Sequence, residues 1–177
     1  ESLIIQDPVL TFKMLRIVNS AAYSLVRKVE SITDAVVLLG MEQIRRWVTL
    51  ISMTAHDDKP EELCRMLLVR GSMCEALANA KGERNSGSYF MAGMMSGLHA
   101  LLDIAQEELL EQVPLADDIQ AALQDYSGPM GETLKAVVSY ESGDWDALPA
   151  NLDIDLYETS YRSALQWAQE SMHTLSN

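Results

Sequence analysis

Apolar residues along this chain recur three or four positions apart, and no stretch sustains the alternation of a half-buried strand. That period belongs to helices, and the punctuation between apolar stretches agrees with it. Asp7-Pro8 is a capping residue followed by a first-turn proline, after which Phe12, Leu15 and Val18 keep to one face as far as Asn19. Ser31-Ile32-Thr33-Asp34 reads as a capping-box-like start, and Gly40 suits the left-handed residue that ends a helix. A second helix is predicted from 41 or 42 to 54, with Ile44, Val48 and Ile51 inward.

Pro60-Glu61-Glu62 opens the next helix. Proline has no N–H to leave unpaired there, and two carboxylates meet the positive end of the helix dipole. The helix carries Leu63, Leu67 and Leu77 and stops at Gly82, ahead of the polar loop GERNSGS. One helix is then predicted through YFMAGMMSGLHALL. Its Ala92, Ser96 and Ala100 lie at four-residue spacing, with Gly93 and Gly97 alongside, a pattern that lets another backbone approach closely and places the helix centrally. Shorter helices are expected at 107–112, 117–126 and 130–140, turn chemistry over 142–153, and a last helix over 156–175 with Tyr157, Tyr161, Leu165, Ala168 and Met172 on one stripe. The expected architecture is an all-α, compact multi-helix bundle without repeats or linkers.

Composition adds limits on function. The 177 residues, 48% hydrophobic and 22% charged, are enough for one globular domain with its own core. The net charge is −13, and it is concentrated late: residues 1–70 hold nine Lys/Arg and nine Asp/Glu, residues 71–177 four and seventeen. Such a surface repels phosphate backbones, so nucleic acid is not an expected partner. No apolar run approaches the ~18 residues of a membrane span, and no secretory signal is visible, so a cytoplasmic location without membrane contact is expected. The chain opens on Glu1-Ser2-Leu3 without a Met, as a piece of a longer protein would. Cys64 and Cys74 fall on one predicted helix, and at ~1.5 Å rise per residue they stand ~15 Å apart, too far for a disulfide. Both are expected to be reduced and buried.

Candidate chemistry is sparse. A metal centre needs several converging donors, and the imidazoles are His56, His99 and His173, on three different elements. The run TAHDDKP sets His56 beside Asp57 and Asp58, but its polarity and Pro60 make it a connection whose acids cap the following helix. His99 and Asp103 form a commonplace i, i+4 pair. An alternative keeps a degenerate, metal-dependent phosphohydrolase site built from His56, Asp57, His99 and Asp103. Another reads residues 32–54 as a helix-turn-helix offering Gln43, Arg45, Arg46 and Trp47 to DNA. No Ser-His-Asp elbow, phosphate loop or CxxC occurs. Met91, Met94 and Met95 suit irregular core filling or an adaptable groove. No catalytic, cofactor-binding or metal-binding residue is predicted.

The stretches DPVLTFKMLRIVNSAAYS and VESITDAVVLLGMEQIRRWVTLI resemble the signature of HDOD domains, helical signalling modules related to HD phosphohydrolases but without their metal ligands. Later stretches, among them LLVRGSMCEALA, FMAGMMSGLHALLD and YRSALQWAQES, are similar to the C-terminal part of bacterial EAL-HDOD proteins. The resemblance implies one HDOD domain over 1–177, lacking its first helix, with a cyclic di-GMP phosphodiesterase-type EAL domain upstream. HD enzymes carry their dyad after Ala-Gly-apolar-apolar. Here Ala92-Gly93-Met94-Met95 is followed by Ser96 and Gly97, and Arg70-Gly71-Ser72 lies where a further His would stand. The resemblance therefore implies a noncatalytic output domain in cyclic di-GMP-linked signalling, acting through protein-protein or interdomain contacts, its partner another protein or the upstream EAL domain. Arg45, Arg46, Trp47 and Trp145 are the expected interaction residues, with core packing the other role open to both tryptophans.

Overall fold

The computed structural model describes residues 36, 37, 40, 41, 44, 45, 48, 61–112 and 115–176. Backbone contacts divide the chain into two units, 1–61 with 169–177, and 62–168. All described elements are helices or turns, so the fold is all-α as the periodicity predicts.

In the first unit, Val36 and Val37 are helical, and the Gly40 N–H donates to the Val36 carbonyl at 2.9 Å. Gly40 has φ +83°, and helix resumes at Met41, so the predicted stop and restart fall where expected. Ile44 is wholly buried. The helix predicted after Pro8 and the TAHDDKP connection lie outside the described residues.

The second unit holds most of the described helices. α1 (Glu61–Ala80) begins at the predicted acids and ends before Gly82, whose φ of +75° supplies the left-handed stop. Its inward side buries Leu67, Leu68, Met73 and Leu77, each worth about 2 kcal/mol by area. α2 (Ser86–Met95) crosses it with very little side chain between. A Cβ on Gly93 would stand 2.8 Å from the Gly71 Cα and 2.9 Å from the Arg70 carbonyl oxygen. The stripe of small residues therefore brings backbones together, as predicted. Met94 and Met95 are buried, so these methionines fill core.

Here the prediction needs correcting. The helix does not continue through YFMAGMMSGLHALL: it ends at Met95, turns at Ser96-Gly97, and restarts as α3 (Leu98–Leu102). Leu67 explains the turn's composition, because a Cβ on Gly97 would overlap its Cδ2. α3 then stops at Asp103, left-handed at φ +55°.

α4 (Gln106–Gln112) and α5 (Asp117–Asp125) follow, the second with Asp117 and Asp118 in its first turn, favourable to its dipole. Gln106 ties them by donating to the Leu123 carbonyl at 2.6 Å. α6 (Gly128–Ser142) has its proline in the first turn and a left-handed Gly143 as its C-cap, and it packs on both α5 and α2. A 3-10 turn (Trp145–Ala147) leads to α7 (Ile154–Ser176). The α7 side chains buried in this unit are Tyr157, Ser160, Ala164 and Ala168, spaced by three and four; from Gln169 the helix belongs to the first unit. Among the described residues, no helix is long and apolar enough to cross a membrane.

Candidate functional site

The crossing of α1 and α2 places Arg70 against the Ser96-Gly97 turn. Arg70 projects from an apolar stretch, Leu67-Leu68-Val69 on one side and Gly71 on the other, and cannot stay unpaired among them without a large desolvation cost. Its Nη1 donates to Ser96 Oγ at 2.9 Å, and Ser96 Oγ donates in turn to the Gly93 carbonyl at 2.7 Å. Its Nε donates to Glu141 Oε2 at 2.8 Å. Glu141 comes from the last turn of α6, and each side chain of the pair is only 12% exposed. A Cβ at Gly97 would lie 3.5 Å from Arg70 Nη1. The three positions singled out from the sequence, Arg70, Ser96 and Gly97, are thus one cluster, and Glu141 completes it.

Electrostatics inside the cluster are unequal. Burial pushes the Glu141 carboxyl above the usual range, while the Arg70 charge and hydrogen bond pull it back without cancelling the effect. Oε1 of Glu141 has no hydrogen-bond partner. Cys74 lies on α1 one turn beyond Arg70, and burial followed by the Glu141 charge pushes its thiol far up. Tyr157 is raised first by burial and then by Cys74. Burial thus disfavours the thiolate of Cys74 and the phenolate of Tyr157.

The donor set does not suit a divalent metal. It offers one carboxylate, already committed through Oε2 to a guanidinium, one hydroxyl and a glycine. The Arg70 cation occupies the electrostatic role that a metal would fill, and a second positive charge beside it is disfavoured. Among the described residues no three His, Cys, Asp or Glu side chains gather as metal ligands. Asp103 is the left-handed C-cap of α3, and its N–H donates to the His99 carbonyl. His99 Nδ1 is buried without a hydrogen-bond partner. His56 and Asp57 lie outside the described residues.

Of the interaction residues expected from the sequence, Arg45 is exposed on a helical turn, while Arg46, Trp47 and Gln43 lie outside the described residues. Trp145 is 60% exposed in its 3-10 turn, resting edge-on against Tyr140 with centroids 5.6 Å apart. It is therefore not a core residue; Trp167, partly buried, packs edge-on to buried Phe90. Glu141 is the residue that sequence reasoning missed. Its signal was indirect: a lone Arg in an apolar helix stretch demands a buried acid, but nothing in the chain says which.

Residues 1–151 match the family profile described as HDOD domain. The chain is similar to the cyclic di-GMP phosphodiesterase CdgJ of Vibrio cholerae, 34% identical over 96% of this chain and 41% of that protein. It is also similar to the uncharacterized protein YuxH of Bacillus subtilis, 32% identical over 94% of this chain and 42% of that protein. The chain spans about two fifths of the length of these curated relatives. No solved structure matches.

Proposed function

The chain belongs to the HDOD domain family, and from that premise we propose that it is a noncatalytic signalling domain of a cyclic di-GMP-linked bacterial protein, working by contact with another protein or domain. The observation that carries this reading is the Arg70–Ser96–Glu141 cluster. On this reading an internal cation, hydrogen-bonded on two sides, stands against Ser96 and Gly97, the positions that the resemblance matches to the metal dyad of HD enzymes. A site so filled has neither the open coordination nor the activated water that phosphodiester hydrolysis requires.

The phosphodiesterase chemistry in the name of the Vibrio relative is assigned, on this reading, to the part of that protein outside the matched region, an EAL domain. The HDOD unit would transmit or receive a signal in the cytoplasm. The reading also takes the whole chain as one functional domain, α7 included. Support comes from Tyr157 and Tyr161 of α7, whose rings lie 5.6 and 5.7 Å from that of Tyr140 within the matched residues.

The test is an assay of the purified protein against cyclic di-GMP and a generic phosphodiester, with Mn, Fe, Zn or Mg supplied and metal content measured. No turnover above buffer is expected, and no stoichiometric metal. Metal-dependent turnover abolished by His99→Ala would overturn the reading in favour of a degenerate hydrolase.

A further inference from the structure

The turn between α6 and α7 presents an exposed aromatic side chain in an acidic frame. Trp145 is 60% exposed and Ile154, the first residue of α7, 54%. Free energy would be gained by covering either. Trp145 does not stand alone: Tyr140 touches it and also touches Tyr157 and Tyr161. Tyr161 lines an open groove of about 340 Å³, whose apolar wall is completed by Met66, Val69 and Leu165. Tyr140 thus links exposed Trp145 to Tyr161 in the groove, where Met66 is half-exposed.

Charge identifies what would cover it. Residues 141–158 hold six Asp/Glu and no Lys, Arg or His. Asp144, Asp146 and Asp155 are exposed, and none has an ion-pair partner among the described residues. The neighbouring cations are already engaged: Arg162 by Glu158, and Arg65 in the groove by Glu62, whose Oε1 takes its Nη2 at 2.6 Å. A second, independent observation lies in the groove itself. Glu141 lines it, and its Oε1 is an acceptor without a donor.

From these observations we infer that this surface docks a cationic amphipathic segment of a partner protein, its Lys or Arg side chains meeting Asp144, Asp146 and Asp155 and its apolar side chains covering Trp145 and the groove wall. A phosphate-bearing partner, by contrast, would face the same acids unfavourably. This rests on the protein-contact reading above and specifies its partner.

The experiment titrates the protein into two fluorescently labelled helical peptides of equal length, one of Leu and Lys, the other of Leu and Glu, read by anisotropy at low and at physiological salt. The Lys peptide is expected to bind and the Glu peptide not. Trp145→Ala should weaken binding about tenfold. Asp144→Asn with Asp146→Asn should weaken it about fivefold and flatten the salt dependence. Glu107→Gln with Glu111→Gln on α4, an equal change of charge elsewhere, should leave it unchanged. Equal binding of both peptides, or of the Lys peptide to wild type and Trp145→Ala, would overturn the proposal. The hydrolysis assay is read separately, so loss of this surface leaves the noncatalytic reading standing, and turnover would strike that reading alone.

Discussion

Arg70 and Glu141 stand 71 positions apart in the chain and 2.8 Å apart in space, with 12% of each side chain exposed. Water has been removed from both charges, so each depends on the other. Arg70→Met leaves a buried carboxylate without its cation, and a loss of about 3 kcal/mol is expected. Glu141→Leu strands the guanidinium at a similar cost. The double variant should lose much less than the sum, as measured by urea unfolding of all four proteins. Additive losses would contradict the coupling.

The same carboxyl predicts a pH dependence. Glu141 is raised above its ordinary 4.5 by burial, so the folded protein takes up this proton at a higher pH than the unfolded chain does. Its contribution to stability is therefore complete below pH 4.5 and is lost as pH rises through the folded value. Glu141→Gln cannot titrate. Wild type should gain stability relative to that variant on acidification through this window, and a slope of the opposite sign in pH-resolved unfolding would refute the assignment.

Gly93 has backbone, not flexible side chain, in its path. Gly93→Ala must push α1 and α2 apart and should cost about 3 kcal/mol, at the upper end for overpacking. Gly82 has open space around it but a φ of +75°, so Gly82→Ala should cost only about 1 kcal/mol. Thermal unfolding of the two variants distinguishes crowding from backbone strain.

Rebuilding the dyad should fail. Ser96→His with Gly97→Asp places an Asp Cβ onto Leu67 and removes the hydroxyl that accepts from Arg70. The expected product is a destabilised protein with no Mn binding by titration calorimetry. Stoichiometric Mn binding would show that the cluster is more yielding than its packing implies.

Neither cysteine is in a disulfide, both are buried, and the Cys74 thiol is pushed far up. Neither should react with a thiol reagent at neutral pH in the native protein, and both should react on unfolding. Fast native labelling of Cys74 would mean that the region around the cluster opens readily.

The elements were largely legible in advance. The acids at Glu61-Glu62, the stops at Gly40 and Gly82 and the helical period of α7 are local signals, and each sits where its hydrogen bonding or period requires. The misreading at Ser96-Gly97 had a physical cause. Small residues at four-residue spacing satisfy a continuous helix as well as a broken one, so the spacing could not show the break at Ser96-Gly97.

By itself the sequence determined an all-helical chain, the ends of most of its helices and many of the residues they bury, because caps, periodicity and residue identity act over a few positions. Only the tertiary structure decided that Arg70 takes Glu141 and Ser96, that α2 ends where it does, and that Trp145 rests on Tyr140 with most of its surface in solvent. Those outcomes depend on which helices meet, and a burial cost arises only after the meeting has removed the water.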